Sequence, residues 1–320
     1  MDIEQKLPKI QENISLAGHT TFKIGGPARW FFIAKNTEEI KKAISMAKEL
    51  NLDSFILGGG SNVLVSDKGF NGLIIKIKNS KFKIQNSKII YAEAGMNLGK
   101  LVEYSVSKGL TGLEWAAGIP GTIGGAICGN TGAFGKSISE VVTEAQVLVC
   151  DKKNNIKVKK YNNKDCKFAY RDSILKRNKN LIIVVAKIQL EKGDKEKSQQ
   201  MISEYLGQRR ESQPLEYPSA GSVFKNLKFE IENLKLLNKY PQLKRFSKHG
   251  MIPAGWLIEE CGLAGKKIGR AMVSEKHANF IVNLGKAKAE DVVILISLIK
   301  QKIRNKFGIQ LQEEIEYIGF

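Results

Sequence analysis

Two glycine-dense loops constrain this chain more than any other feature: LGGGSN at 57–62 and GIPGTIGGA at 118–126. Glycine reaches positive φ without strain and has no Cβ. Such loops therefore either turn tightly between packed elements or let a polyanion approach backbone N–H groups directly. One loop after a strand is weak evidence for the second use. Two, each after an apolar segment, point to a large phosphorylated ligand held at both ends, with tight structural turns as the alternative. Neither loop fits G-x-G-x-x-G, so a Rossmann dinucleotide site is not supported. NTGAFGKS at 130–137 is similar to a phosphate-binding P-loop, but Asn130 stands where its first glycine belongs.

Around the loops, strand and helix signals mix without a clean βαβ repeat, which favours an α+β fold over a doubly wound one. EEIKKAISMAKEL places Ile40, Ala43, Ile44, Ala47 and Leu50 on one helical face. GLIIKIK, KIIYAEAG, AQVLVC and LIIVVAKIQL have strand composition. NLGKLVEYSVSKG predicts a helix that stops at Gly109, and helical patterns follow near 194–209, 254–261 and 288–306. The C-terminal IQLQEEIEYIG predicts a strand with Ile309, Leu311, Ile315 and Tyr317 on one face and Gln312, Glu314 and Glu316 on the other. Boundaries are expected near 79 and near 208–220, where GQRRESQPLEYPSAG loses periodicity.

The 320 residues carry 51 Lys and Arg against 32 Asp and Glu, a net charge of +19. That excess suits anionic ligands, but it is spread along the chain and lacks the interleaved aromatics of a nucleic-acid stacking platform. No nucleic-acid partner is expected. No apolar run approaches the ~18 residues that span a membrane, and the charged MDIEQKLPKI is unlike a secretory signal, so no membrane partner and a cytoplasmic location are expected. Cys128, Cys150, Cys166 and Cys261 form no C-x-x-C, and His19, His249 and His277 are dispersed. Reduced structural thiols and no metal site are expected.

Seven segments together resemble one family, the UDP-N-acetylenolpyruvoylglucosamine reductases. They are HTTFKIGGPA, LGGGSNVLVSDKGFNGLII, GLEWAAGIPGTIGGAICGNTGAFG, AYRDS, AGSVFKN, SEKHANFIVN and LQEEIEYIG, in family order and spread over nearly the whole chain. The resemblance implies a three-domain α+β fold with a vanillyl-alcohol-oxidase/PCMH-type FAD-binding unit. Its subdomains are placed at 1–79, completed by a C-terminal strand at 308–320, and at 80–207, with a substrate-binding domain at 208–307. It implies non-covalent FAD, NADPH as hydride donor, and UDP-N-acetylglucosamine enolpyruvate as the substrate reduced to UDP-N-acetylmuramate, by a monomer or weak oligomer. Gly58, Gly59, Gly60, Ser61 and Asn62 in the first loop, with Gly118, Ile119, Pro120, Gly121, Ile123, Gly124 and Gly125 in the second, are implied as the FAD cradle.

In that chemistry hydride addition to the alkene leaves enolate character, which needs a positive donor at the carboxylate and a proton at the carbon. Arg171 of AYRDS matches the family's active-site arginine; read without the family, it is a surface side chain beside a turn at Asp172 and Ser173. Ser222 of AGSVFKN matches the proton donor. A hydroxyl is a weak acid, but an enolate carbon is basic enough to take its proton. Glu314 matches the active-site glutamate, with Glu313 as its neighbour on the apolar side. Asn226, Lys225, Arg209 and Gln213 are implied substrate contacts. Ser222 has no accompanying Asp–His pattern, so His277 is expected to pack or hydrogen-bond rather than serve a triad.

Only ILKRNKN separates AYRDS from the strand LIIVVAKIQL. One family subtype carries a longer segment there with a substrate-covering tyrosine, so the resemblance implies the subtype without that loop. The lysine-rich stretch 227–250 is expected to be a partly helical surface insertion. Two other readings stay open: a related FAD oxidase or dehydrogenase, which would share the glycine loops, and a basic nucleic-acid-binding protein.

Overall fold

The computed structural model describes residues 3–151, 155–228, 239–247 and 250–320. The chain divides into two units, one of residues 1–14, 28–60 and 70–211, the other of residues 15–27, 61–69 and 212–320. Each has its own apolar core.

In the first unit, the strands Pro27–Ala34 and Ser54–Leu57 both pair in parallel with Phe70–Ile77. The helix Thr37–Glu49 links the two strands that flank Phe70–Ile77, giving the long connection that parallel strands require. Asn36 caps that helix by accepting the Glu39 N–H at 2.9 Å. Ile40, Ala43, Ile44 and Ala47 are buried as their spacing predicts, but Leu50 falls on the C-cap, one residue past the helix, and is exposed. Leu73 to Ile77 are all buried, as expected for a strand covered on both faces.

A five-stranded antiparallel sheet follows, in the order Ile156–Asn162, Val142–Cys150, Leu181–Gln189, Ile89–Glu93 and Phe82–Gln85. Its outer strand Ile156–Asn162 carries exposed Lys157, Lys159 and Lys160, which discourage pairing with another chain at that edge. The lysines that look like a diffuse basic patch in the sequence are thus strand residues. The helices Leu98–Ser107 and Lys195–Ser212 complete this unit. None of the four cysteines is in a disulfide, and burial raises the thiol pKa of Cys150 and of Cys166, the latter to about 11.

The second unit is built on the antiparallel order Ser219–Ser222, Phe280–Asn283, Ala271–Val273 and Lys267–Ile268. The helix Ala289–Phe307 buries Val292, Leu295, Ile296, Ile299, Ile303 and Phe307 along one face and ends at Gly308 with φ +72°. Its N-terminus is capped from a distance: the Asp67 carboxylate accepts the Ala289 and Glu290 N–H groups at 2.9 and 3.1 Å.

The C-terminal segment departs from the expected continuous strand. Only Glu316–Ile318 is regular, pairing in parallel with Val63–Val65, while Glu313 makes an isolated bridge to Phe224. The segment changes partner between these points, and the alternation breaks with it. Ile309, Leu311 and Ile315 are buried as expected, but Ile318 rather than Tyr317 continues the buried set. Residues 229–238 and 248–249, half of the lysine-rich stretch 227–250, lie outside the described residues; in the remainder Leu227–Lys228 pairs with Met251–Ile252, and Lys244–Ser247 is helical. Among the described residues no helix is long and apolar enough to cross a membrane.

Candidate active site

The two glycine loops meet inside the first unit. A Cβ on Gly59 would lie 2.6 Å from the Gly121 Cα, and one on Gly58 would lie 2.8 Å from Thr122 Oγ1. The loops therefore touch backbone to backbone, an approach that only glycine permits. Gly60, Gly118 and Gly121 adopt φ of +70°, +77° and +129°. Backbone of this kind can admit a pyrophosphate where no side chain covers it, but at Gly118 a Cβ would lie 2.9 Å from Leu206 Cδ2 and 3.0 Å from Arg209 Cδ.

The members of the second loop do different work. The N–H groups of Ile119, Ile123 and Gly124 donate to the carbonyls of Ala116, Met96 and Ala94, and that of Gly125 donates to Thr122 Oγ1. A Cβ on Gly124 would lie 2.8 Å from the Ala94 Cβ, so this glycine lets the short helix Ile123–Cys128 pack closely. The loop thus owes its shape to these bonds and to the positive φ of Gly118 and Gly121.

Arg209 lies against that loop. It is buried and donates from Nε to the Ala117 carbonyl at 2.8 Å and from a terminal nitrogen to the Trp115 carbonyl at 3.2 Å. Its guanidinium covers the Phe134 ring at 5.0 Å, and Phe134 stacks on Tyr205. Burial lowers its pKa, yet a guanidinium stays charged. The residue implied as a substrate contact is here a brace for the stretch leading into Gly118. Glu114 anchors the same stretch: buried, it accepts Ser198 Oγ at 2.6 Å and the Gly112 N–H at 2.8 Å. Burial pushes its carboxyl up, but the bonds from Ser198, Thr111 and the backbone outweigh this and its pKa ends lowered.

Arg171 sits in a tight turn of the same unit. Ala169 and Asp172 exchange backbone hydrogen bonds at 3.0 and 3.1 Å, and Arg171 takes φ +55°. An arginine in left-handed conformation costs on the order of 1–3 kcal/mol and persists where its surroundings hold it. Here Asn130 Nδ2 donates to the Ala169 carbonyl at 2.8 Å, and the buried Ser173 hydroxyl donates to the Cys128 carbonyl at 2.7 Å. Asp172 pairs with Arg177. The turn is therefore tied to the end of the helix that follows the second glycine loop.

In the second unit Ser222 ends its strand after an irregularity. Ser219 pairs with Val282 but Ser222 with Phe280, so three steps face two, and Gly221 takes φ +75°. A bulge of this kind turns a side chain off the regular pleat. Glu314 lies across from it: the Glu314 N–H donates to the Val223 carbonyl at 2.7 Å, and the Lys225 N–H donates to the Gln312 carbonyl at 2.9 Å. Asn62 Nδ2 donates to the Glu314 carbonyl at 3.0 Å, and the Asn62 carbonyl accepts the Glu316 N–H at 2.9 Å. Ser222 and Glu314, far apart in sequence, are thus held together by main-chain bonds.

The neighbours separate by role. Glu313 pairs with Lys300 at 2.6 Å, and burial, then Glu313, raise the Tyr317 pKa. Asn226 Oδ1 accepts the Ala254 N–H at 3.1 Å, which fixes the start of the helix Ala254–Glu260. Lys225 and Gln213 are half-buried in this unit. His277 packs against Phe280, its Nδ1 accepts the Asn279 N–H at 3.3 Å, and burial lowers its pKa. Among the described residues no group of His, Cys, Asp and Glu could hold a metal ion.

Residues 213–318 match the family model described as "UDP-N-acetylenolpyruvoylglucosamine reductase, C-terminal domain", and residues 28–153 match an FAD binding domain. A reductase of that name from Caldanaerobacter subterraneus is 39% identical over 97% of this chain and 94% of its own length. Another, from Caldicellulosiruptor bescii, is 42% identical over 94% and 88%. The chain belongs to the UDP-N-acetylenolpyruvoylglucosamine reductase family. The solved structure of the Thermus caldophilus member of this reductase family superimposes with a TM-score of 0.75 at 29% identity, covering 97% of this chain and 99% of that one. Membership makes the chain an oxidoreductase with an FAD-binding domain and agrees with the α+β reading.

The site residues that sequence reasoning missed are amides that bond to main chain: Asn130 behind Arg171, and Asn279 behind Ser222. Both lie inside recognised motifs, GNTGAFG and SEKHANFIVN, so their neighbourhood was visible although their contacts were not.

Proposed function

We propose that this chain reduces UDP-N-acetylglucosamine enolpyruvate to UDP-N-acetylmuramate, with NADPH as electron source. The glycine loops would hold FAD non-covalently, and FAD bound there would supply the hydride chemistry that links NADPH to the enolpyruvyl double bond. The observation that carries the reading is the hydroxyl of Ser222, presented at a glycine bulge and one backbone hydrogen bond removed from the Glu314 segment.

Gly58 to Gly60, with Gly118 and Gly121, would receive the cofactor pyrophosphate, since a β-carbon at Gly58 or Gly59 would force the loops apart. Arg171 would hold the substrate carboxylate. Its charge persists at any working pH and its fork of donors matches the two oxygens on which enolate charge develops. Its turn is fixed before substrate arrives, so no reorganisation is needed at the moment of reaction. Ser222 would give its proton to the carbon opposite the one that accepts hydride, and Glu314 would orient that hydroxyl and balance charge beside it. Lys225 and Gln213 would contact the nucleotide-sugar, with Asn226 shaping that wall through its bond to Ala254.

The test separates the two half-reactions by stopped-flow absorbance of the flavin. Ser222→Ala should leave reduction by NADPH nearly intact and slow reoxidation by the enolpyruvyl substrate by ~10²–10⁴. Equal slowing of both steps would refute the assignment.

A further inference from the structure

We propose that Asn279 is the positioning residue for Ser222. The inference rests on the reading of Ser222 as proton donor and extends it to the residue that aims the hydroxyl.

The strand carrying Ser222 loses its partner where its chemistry begins. Pairing with Phe280–Asn283 stops at the Ser222–Phe280 pair, after the bulge at Gly221. The next residues, Val223 and Phe224, are buried, so their main-chain groups need partners without help from water. Asn279 provides three. Its carbonyl accepts the Val223 N–H at 2.8 Å, its Oδ1 accepts the Phe224 N–H at 3.0 Å, and its Nδ2 donates to the Phe224 carbonyl at 2.8 Å.

The primary amide thus stands in for a strand residue, offering a donor and an acceptor side by side to one peptide neighbour. Asn279 is 3% exposed, its own N–H is taken by His277 Nδ1, and its Cβ lies 3.6 Å from where a Gly255 side chain would begin. It is therefore held before it holds. On the opposite side, Val223 and Lys225 bond to Glu314 and Gln312. Residues 223–225 are fixed from two directions, and Ser222 is the last residue before them. With the Asn279 side chain removed, both Phe224 bonds go and only the main-chain bond from the Val223 N–H to the residue 279 carbonyl is left on that side, so the segment after the Gly221 bulge is more weakly anchored and the hydroxyl loses its fixed direction.

A displacement of about an ångström costs on the order of 10² in rate. Asn279→Asp is nearly isosteric. It keeps the acceptor for Phe224 N–H but turns the donor into a second acceptor facing the Phe224 carbonyl. Asn279→Ala removes both. Each variant is compared with wild type and Ser222→Ala as FAD-loaded enzyme. The readouts are the two half-reaction rates, the solvent deuterium isotope effect on substrate-driven reoxidation, and amide hydrogen exchange over residues 219–226.

The expected result for Asn279→Asp is NADPH-driven reduction within about twofold of wild type and reoxidation roughly 10- to 100-fold slower with a larger isotope effect, while Asn279→Ala, which loses the Oδ1 acceptor, shows faster exchange at the Phe224 amide. Wild-type reoxidation in Asn279→Asp, alongside slow Ser222→Ala, overturns the positioning role while leaving the donor intact. Equal slowing of both half-reactions in Asn279→Asp also overturns it, since a general loss of structure would do that. Normal reoxidation in Ser222→Ala instead overturns the donor assignment itself. If Asn279→Ala fails to accumulate as folded protein, Asn279→Asp alone decides.

Discussion

Gly59→Ala tests the claim that the two glycine loops form one cradle. The added Cβ would lie 2.6 Å from the Gly121 Cα, 3.3 Å from its carbonyl carbon and 3.4 Å from its nitrogen. Carbon atoms in ordinary contact are ~3.5–4.0 Å apart, and all three neighbours are backbone, so no side chain can rotate away. The loops must part by about an ångström. Overpacking of this size costs ~1–3 kcal/mol. If the strain falls on the shape that holds the cofactor, FAD affinity drops roughly 5- to 150-fold. The assay is the recovery of flavin fluorescence as FAD-loaded enzyme is diluted. Gly207→Ala is the control: an added Cβ there would meet nothing within 4 Å, in the helix Lys195–Ser212 where alanine is the better residue. Gly207→Ala should retain FAD as wild type does. Gly59→Ala releasing FAD no faster than Gly207→Ala would refute the reasoning, because backbone contact between the loops would then have no bearing on the ligand.

Two further outcomes follow from neighbouring carboxylates. Glu314→Gln should slow substrate-driven flavin reoxidation by ~10² or more, while Glu313→Gln, which weakens the partly exposed pair with Lys300 and the bond to Tyr317, should change it less than twofold and cost up to ~1 kcal/mol of stability. The reverse ranking in stopped-flow traces would place the acidic group on the wrong residue. Glu114→Gln should destabilise the first unit by ~1–3 kcal/mol through weakened bonds to Ser198 and Gly112. The Glu114 carboxyl is lowered in the folded chain, so its contribution is present above the unfolded pKa of about 4.3 and is lost as pH falls through the folded value. Thermal melts should show the wild-type advantage at neutral pH and its narrowing below that point; an advantage that grows on acidification would contradict the assignment.

The roles proposed for Arg171, Ser222 and Glu314 rest on the motifs AYRDS, AGSVFKN and LQEEIEYIG rather than on the residue types, since an arginine beside a turn or a glutamate on a polar strand face reads alone as surface. Helices with a single apolar face were legible in the sequence: Ile40, Ala43, Ile44 and Ala47 give the spacing, and Asn36 gives the cap. The C-terminal segment was only half legible. Alternation placed Ile309, Leu311 and Ile315, then failed where the chain leaves Phe224 for Val63–Val65. Periodicity reports one neighbour at a time, and here the neighbour changes. The strand Ile156–Asn162 was hidden for another reason: at a sheet edge its lysines face water, so no apolar pattern marks it.

What the sequence could not disclose is how the reactive groups are held. Asn62, Asn130 and Asn279 each donate a side-chain N–H to a main-chain carbonyl, of Glu314, Ala169 and Phe224 respectively. Those carbonyls belong to Glu314 itself, to a residue two before Arg171 and to a residue two after Ser222. In a sequence an asparagine reads first as a turn former, and nothing in its local pattern names a carbonyl far along the chain. A strained arginine, a bulged serine and a glutamate at a change of strand partner are each places where regular pairing has run out. A buried amide is the compact group that carries both halves of a missing peptide bond partner. The three residues proposed to react all sit on irregular backbone, and in each case an asparagine amide fixes that backbone.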